Sequence, residues 1–201
     1  MSKVNCPSCG ADVGGGLGAV RMIACPYCGT TSLLKGGQVF DAGATGEMHT
    51  APSLLQLHQT ARIGADRWTP LGHARFSYGR GEWDEFWCES AQGKGAWISI
   101  DEGDVVVQRP MPAGWGQRIR KVPVLGEVLH IDGKAYRVTE TEDARCIALR
   151  GSFPEELSLG ETYRFFNAAG PGGQLLSGES GPQGWSWFLG DWVDPFEVTP
   201  A

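Results

Sequence analysis

Two Cys-x-x-Cys-Gly strings near the start of the chain constrain its folding more than any other feature. They run from Cys6 to Cys9 and from Cys25 to Cys28, with fifteen residues between them. Each turn can direct two sulfurs at one metal ion, and four thiolates in tetrahedral geometry suit zinc. Because four cysteines fill the coordination shell, no position remains for water or substrate. The spacing therefore predicts one structural zinc ion, held by Cys6, Cys9, Cys25 and Cys28.

The same cysteines have two other uses, both less consistent with the sequence. Disulfides need an oxidising compartment, whereas the printed sequence opens without an apolar signal segment, so we expect a cytoplasmic location. A rubredoxin-like iron site would need shielding, and the loop between the strings is nearly free of aromatic residues. Residues 1–35 are therefore predicted to form a zinc ribbon, a unit that is folded largely by its metal.

The composition changes twice after the ribbon. Residues 36–52 are small and polar, which predicts a flexible linker that lets the two flanking parts fold independently. Residues 53–198 alternate apolar and polar side chains between Gly-containing turns, the pattern of antiparallel hairpins. With 30 glycines, 12 prolines and almost no helical period, the fold class is predicted to be all-β.

A weak internal repeat divides this β domain. The Trp-rich stretch near Trp83 has a counterpart near Trp185, which predicts two related antiparallel units over about residues 53–110 and 124–198. The Pro- and Gly-rich segment 110–123 would cross between them. Strand patterns alone do not separate a β-sandwich from a barrel, since only closure differs. We favour two small units packed face to face, with strands such as residues 83–87 covered on both sides.

The β domain resembles a known bacterial family. Over about residues 53–195 the chain resembles the bacterial domain of unknown function 4178, which is often preceded by a zinc ribbon. The residues that carry it are Tyr78, Gly81, the run Trp83-Asp84-Glu85-Phe86-Trp87 and the run Ala96-Trp97-Ile98-Ser99. The resemblance implies no established activity. It implies, by association only, a part in an envelope or membrane-stress system.

Glu85 is the chemical oddity of the β domain. In a strand, Trp83, Glu85 and Trp87 share one face while Asp84 and Phe86 point the other way. A carboxylate between two indoles should be partly desolvated and its pKa raised, as in a general acid. Alternatively, Glu85 accepts an indole N–H or pairs with an arginine, Arg75 or Arg80, and fixes the strand register; we favour this structural role.

The eight tryptophans have two possible roles. Most are expected to fill the core of a β domain, because each can bury a large area. Exposed ones would form a platform for a ligand or partner. Trp83 and Trp87 flank Glu85, and Trp115 lies in the Gly-rich crossover, where it is the candidate for a surface anchor. The possible ligand or partner contacts are therefore Trp83, Glu85, Trp87 and Trp115.

The charge distribution argues against nucleic acid. The formal net charge is −6, and because the first forty residues carry Lys3, Arg21 and Lys35 against Asp12, the remainder carries about −8. Such a field repels phosphate backbones. A basic stripe of Lys3, Arg21 and Lys35 on one face would restore that function.

Three function classes follow. The first is a non-enzymatic adaptor, with a zinc ribbon for one protein partner and a Trp-rich domain for another. No segment is long enough to span a bilayer, so membrane association would be indirect, through that partner. The second is an enzyme or small-ligand binder that uses Glu85, and a concave pocket with Glu85 and another titratable group on its wall would favour it. Nucleic-acid binding through the ribbon is third.

Overall fold

The computed structural model describes residues 4–14, 20–49, 52–112, 115, 119, 121–181 and 184–201. These residues form antiparallel strands and two single-turn 3₁₀ segments, with no α-helix among them. The all-β prediction is confirmed. In the same residues, no helix reaches the length and apolarity that crossing a bilayer would require.

The strands fall into three groups along the chain. The N-terminal group is β1 (Met22–Ala24), β2 (Thr30–Lys35), β3 (Gln38–Ala44) and β4 (Ala61–Ile63). A first meander follows with β5 (Asp66–Ser77), β6 (Glu82–Ser90), β7 (Gly95–Asp101) and β8 (Asp104–Pro110). After β9 (Val128–Ile131), a second meander comprises β10 (Lys134–Phe153), β11 (Thr162–Ala169), β12 (Gln174–Gly181) and β13 (Gly184–Val193), before the short β14 (Val198–Pro200).

The two meanders join into a closed ring. Strand β8 pairs with β13, and β5 pairs with β10, so the order β5-β6-β7-β8-β13-β12-β11-β10 returns to β5. The ring is an eight-stranded barrel made from one sheet. The inner faces of the two units meet in one interior core, as the sequence analysis favoured, but the units are halves of a single closed sheet and not two separate sheets. Closure gives the outer strand of each meander a hydrogen-bonded partner. The meanders lie within the ranges predicted for the repeat, and their relatedness in sequence stays a prediction.

Apolar residues cover both surfaces of this ring. Inside, the aromatic side chains include Phe76, Trp97 and Phe188. Outside, Phe86 and Ile98 belong to one cluster, which β4 and Leu55 help to cover, and a second cluster lies around Phe166, Leu176 and Trp187. The strands are therefore covered on both sides, as the doubly apolar runs in the sequence predicted.

The ribbon is continuous with the barrel. Strand β1 pairs with the end of β10, with Met22 opposite Phe153, and its other edge pairs with β2. Met22 is fully buried in the interior cluster of the barrel. The segment predicted to be a flexible linker, residues 36–52, instead contains β3, which pairs with β2. The polar composition misled the prediction because both faces of β3 are largely exposed, so this strand needs few apolar residues.

Candidate functional site

The first candidate site is the cysteine cluster. The sulfur atoms of Cys6, Cys9, Cys25 and Cys28 all lie within 4.8 Å of one another. Two of the separations are 3.6 Å, from Cys6 to Cys28, and 3.8 Å, from Cys9 to Cys25. A tetrahedron with Zn–S bonds of about 2.3 Å has sulfur–sulfur edges of about 3.8 Å. The four thiolates therefore fit a single tetrahedral metal ion.

The turns that build this cluster end in glycine for a conformational reason. Gly10 and Gly29 have φ values of 73° and 69°, a left-handed conformation that glycine adopts without strain. Each glycine N–H donates to the carbonyl of the first cysteine in its string, over 2.9 Å for Gly10 and 3.1 Å for Gly29. Cys6 and Cys25 are buried, and Cys9 and Cys28 are exposed.

The second candidate site is a cavity inside the barrel, which we call the acidic pocket. Its volume is about 250 Å³. Side chains from both meanders face it, and among the residues that the structure describes no Lys, Arg or His lines it. The acidic members are Glu85, Asp101, Glu102, Asp104, Glu140 and Glu179. An inner recess shares Glu85, Gln108 and Glu179 with this pocket and adds Glu155.

Glu85 lies on the wall of the pocket and is only 8% exposed. Its Oε1 accepts two hydrogen bonds, from Trp83 Nε1 at 3.0 Å and from Ser99 Oγ at 3.1 Å. The predicted indole partner is therefore confirmed. The two arginines that were the alternative partners bind other carboxylates: Arg75 pairs with Asp84, and Arg80 pairs with Glu142.

Burial changes the acid strength of the pocket carboxyls. Loss of solvation raises the pKa of Glu85 to about 7, against the lowering effect of its bonds from Trp83 and Ser99. Loss of solvation also raises the pKa of Glu179 to about 8, and the charges of Glu85 and Glu155 add to this rise. The Glu155 pKa is raised mainly by burial as well. The raised pKa predicted for Glu85 is confirmed. Burial is its main cause, and the charge of Glu155, a neighbour that the sequence did not reveal, adds to the rise.

Gln108 is a neutral polar residue of the pocket wall whose side-chain oxygen has no partner in the described part of the chain. It is 7% exposed, and its Oε1 accepts no hydrogen bond from any residue that the structure describes. A buried carbonyl oxygen without a donor is costly, so such an atom suggests an unseen partner. Two other polar residues of the wall already have partners, because Ser177 donates to Asn167 and Asn167 donates to Glu140.

Of the three tryptophans predicted as ligand or partner contacts, one lines the pocket wall and the other two pack against other tryptophans. Trp83 lines the acidic pocket, as does the half-exposed Trp192. Trp87 lines neither the pocket nor its recess; it packs in the interior core, with its ring 5.5 Å from that of Trp97. Trp115 is not a free surface anchor. It packs edge-on against Trp187 at 6.0 Å, and its Nε1 donates to Asp132.

Glu179, Gln108 and Trp192 are among the pocket residues that the sequence analysis missed. A signal for Glu179 was present, because Leu175, Ser177 and Glu179 alternate on one face of β12. Nothing in the sequence connects that face with Glu85, which lies more than ninety residues earlier. Of the basic residues that would restore nucleic-acid binding, Lys3 lies outside the described residues.

Comparison with known proteins identifies a family. The model of a family described as a domain of unknown function (DUF4178) matches residues 56–195, which is more than half of the chain. No curated protein and no solved structure matches. The matched range contains all the strands of the closed ring and every residue of the acidic pocket.

Proposed function

The chain belongs to the DUF4178 family, and within that family we propose that it is a small-molecule-binding protein whose binding site is the acidic pocket. The observation that carries the proposal is the concave wall that combines Glu85, a second titratable group in Glu179 and the unpaired Gln108 Oε1. Concave pockets with a few convergent polar groups are typical ligand sites. At about 250 Å³ this one suits a small metabolite.

The cysteine cluster has a structural part in this proposal. Four thiolates at tetrahedral spacing would hold zinc through Cys6, Cys9, Cys25 and Cys28, with the coordination shell closed to substrate. The ion would fix the turns that precede β1 and β2. Because β1 pairs with the end of β10, a bound zinc ion would also stabilise one wall of the barrel.

Catalysis is the second candidate function. The pKa of Glu85 near 7 and that of Glu179 near 8 would let one carboxyl hold a proton while the other is ionised. We place binding first because, within the described ranges, no Cys, His or Lys lines the pocket and the two serines that line it already donate hydrogen bonds. The adaptor role, the protein partner and the envelope association rest on the family resemblance and on sequence composition.

A thermal-shift screen tests the proposal. Small metabolites of positive, neutral and negative charge are compared on the wild-type protein and on Ser177→Phe, whose added ring would fill the pocket. Thr162→Phe, at an exposed position of β11, is the matched control. We expect compounds that stabilise the wild type and Thr162→Phe but leave Ser177→Phe unchanged. A screen without any such compound would refute the proposal.

A further inference from the structure

The acidic pocket has a strong preference for positive charge. Six carboxyl side chains face it, and no basic side chain in the described part of the chain does. Glu85 and Glu179 lie deepest, because both also line the inner recess, and their charges repel each other there. Bringing a cation between them would relieve this repulsion, whereas an anion would add to it.

The hydrogen-bonding groups of the pocket accept more than they donate. Gln108 Oε1 is buried without a donor. Both hydrogen bonds to Glu85 reach Oε1, so its Oε2 accepts none from the described residues. An ammonium group brings several N–H donors and no acceptor, which complements this set.

The walls between these acceptors are aromatic. Trp83 and Phe165 line the pocket, and their rings are 5.3 Å apart. The half-exposed Trp192 lines it as well. Aromatic faces attract organic cations and pack against their carbon atoms. The lining therefore suits a cation that carries an apolar part.

A bare metal ion does not fit as well. Calcium needs six to eight oxygen ligands around one point, and magnesium needs a strict octahedron. Among the residues that the structure describes, only the four cysteines bring three or more potential ligand atoms of Cys, His, Asp or Glu within 4.8 Å of one another. The pocket carboxyls are spread around the cavity and form no such cage.

We propose that the acidic pocket binds an organic ammonium cation, whose N–H groups bond to Glu85, Glu179 and Gln108 while its carbon atoms pack against Trp83. This inference rests on the proposed function and names the ligand class of the same site. It does not depend on which metal the cysteines hold.

Four probe compounds that separate the effect of charge from that of the carbon skeleton test the inference. Butylammonium, 1-butanol and butyrate share a four-carbon skeleton and differ in charge, and magnesium chloride is the fourth. Binding is followed by NMR at the indole N–H of Trp83, assigned from the spectrum of Trp83→Phe. We expect saturable shifts with butylammonium and at least about tenfold weaker binding of 1-butanol.

Substitutions at Glu179 and Gln108 test whether these two side chains accept the hydrogen bonds of the bound cation. Glu179→Gln removes one pocket charge, and Gln108→Met removes the unpaired oxygen from a neutral residue of similar length. Each should weaken butylammonium binding several-fold. Asp143→Asn removes one charge on the outside of the barrel, where Asp143 pairs with Arg164, and should leave binding unchanged. A melting curve for each variant shows that it is folded.

The pH dependence of binding gives a second readout. Butylammonium stays charged below about pH 10, like a lysine side chain. Its affinity should rise from pH 6 to pH 8.5, because Glu85 and Glu179 lose their protons in this range. Among the described residues, the other titratable groups that line the pocket or its recess are the carboxyls of Glu155, Asp101, Glu102, Asp104 and Glu140 and the phenol of Tyr78. Asp84 also acts on Glu85, and Tyr163 interacts with Glu179. Glu179→Gln should flatten the rise.

The outcomes separate the two proposals. Any of four results would overturn the ammonium inference. They are binding of 1-butanol as tight as that of butylammonium, binding of butyrate, saturable binding of magnesium at Trp83, and no response to butylammonium. In each case a pocket-dependent compound from the thermal-shift screen would leave the proposed function standing. If the screen also finds none, both proposals fail.

Discussion

Trp83 Nε1 donates a 3.0 Å hydrogen bond to Glu85 Oε1, two residues further along the same strand. The two side chains share the inner face of β6, so the indole ring lies on the pocket wall while its N–H holds the carboxyl in place. The bond gives Glu85 a structural role, and under the proposed function it would also orient the carboxyl for a ligand. The structural and functional roles that the sequence offered as alternatives are therefore compatible.

Replacing Glu85 should separate hydrogen bonding from charge. Glu85→Gln keeps an oxygen for Trp83 and Ser99 and removes a poorly solvated charge, so its stability at pH 8 should equal or exceed that of the wild type. Glu85→Ala leaves both donors without their acceptor and should cost about 1–3 kcal/mol. Urea unfolding of the three proteins measures this. A Gln variant as unstable as the Ala variant at pH 8 would contradict the assigned role.

Stability should fall as the pH rises from about 5 to 8. The folded-state pKa values of Glu85 and Glu179, about 7 and about 8, lie above the ordinary glutamate value, so the folded protein binds more protons than the unfolded chain in this window. Asp84, whose pKa is lowered to about 2 by His73 and Arg75 in spite of its burial, affects stability only below this window. Melting temperatures across the pH range test the expectation.

The double variant Glu85→Gln/Glu179→Gln is the control for that pH profile. It should lose most of the slope, since the titrating groups are gone. A slope that persists in the double variant would show that other groups cause it.

Loss of the metal should destabilise the whole protein. Because β1 pairs with β10 and Met22 is buried in the barrel core, Cys25→Ser should lower the melting temperature of the barrel as well as release the ion. Elemental analysis should find one zinc per chain in the wild type. Tyr27→Ser, at an exposed position between two of the cysteines, should keep both the zinc and the stability.

Two separate melting transitions in Cys25→Ser, with the upper one unchanged, would contradict the shared sheet. They would instead support the independent folding that the linker prediction implied.

Trp83 and Trp87 should respond differently to substitution. Trp87→Phe should destabilise the barrel by about 1–3 kcal/mol, because the smaller ring leaves space beside Trp97, and should keep butylammonium affinity. Trp83→Leu removes an aromatic wall of the pocket and should weaken butylammonium binding by about threefold or more. Calorimetric titration of both folded variants checks this. Equal loss of butylammonium affinity in both variants would refute the assignment of Trp83 to the pocket wall and of Trp87 to the core.

Local features were predictable from the sequence because their physics is local. Two cysteines within one tight turn must lie close together, so the pattern of Cys6, Cys9, Cys25 and Cys28 identified the cluster. The period of two along a strand placed Trp83 and Glu85 on one face and Phe86 on the other. The flanking indoles likewise indicated the raised pKa of Glu85.

Only the tertiary structure decided how these local pieces combine. A period of two is the same in a sandwich and in a barrel, and closure depends on the pairing of β5 with β10, whose partners are some seventy residues apart, such as Phe76 and Cys146. That closure brings Glu179 and Gln108 to Glu85 and so creates the acidic pocket. Propensity and alternation act between near neighbours, whereas the pocket depends on contacts between strands far apart in the chain.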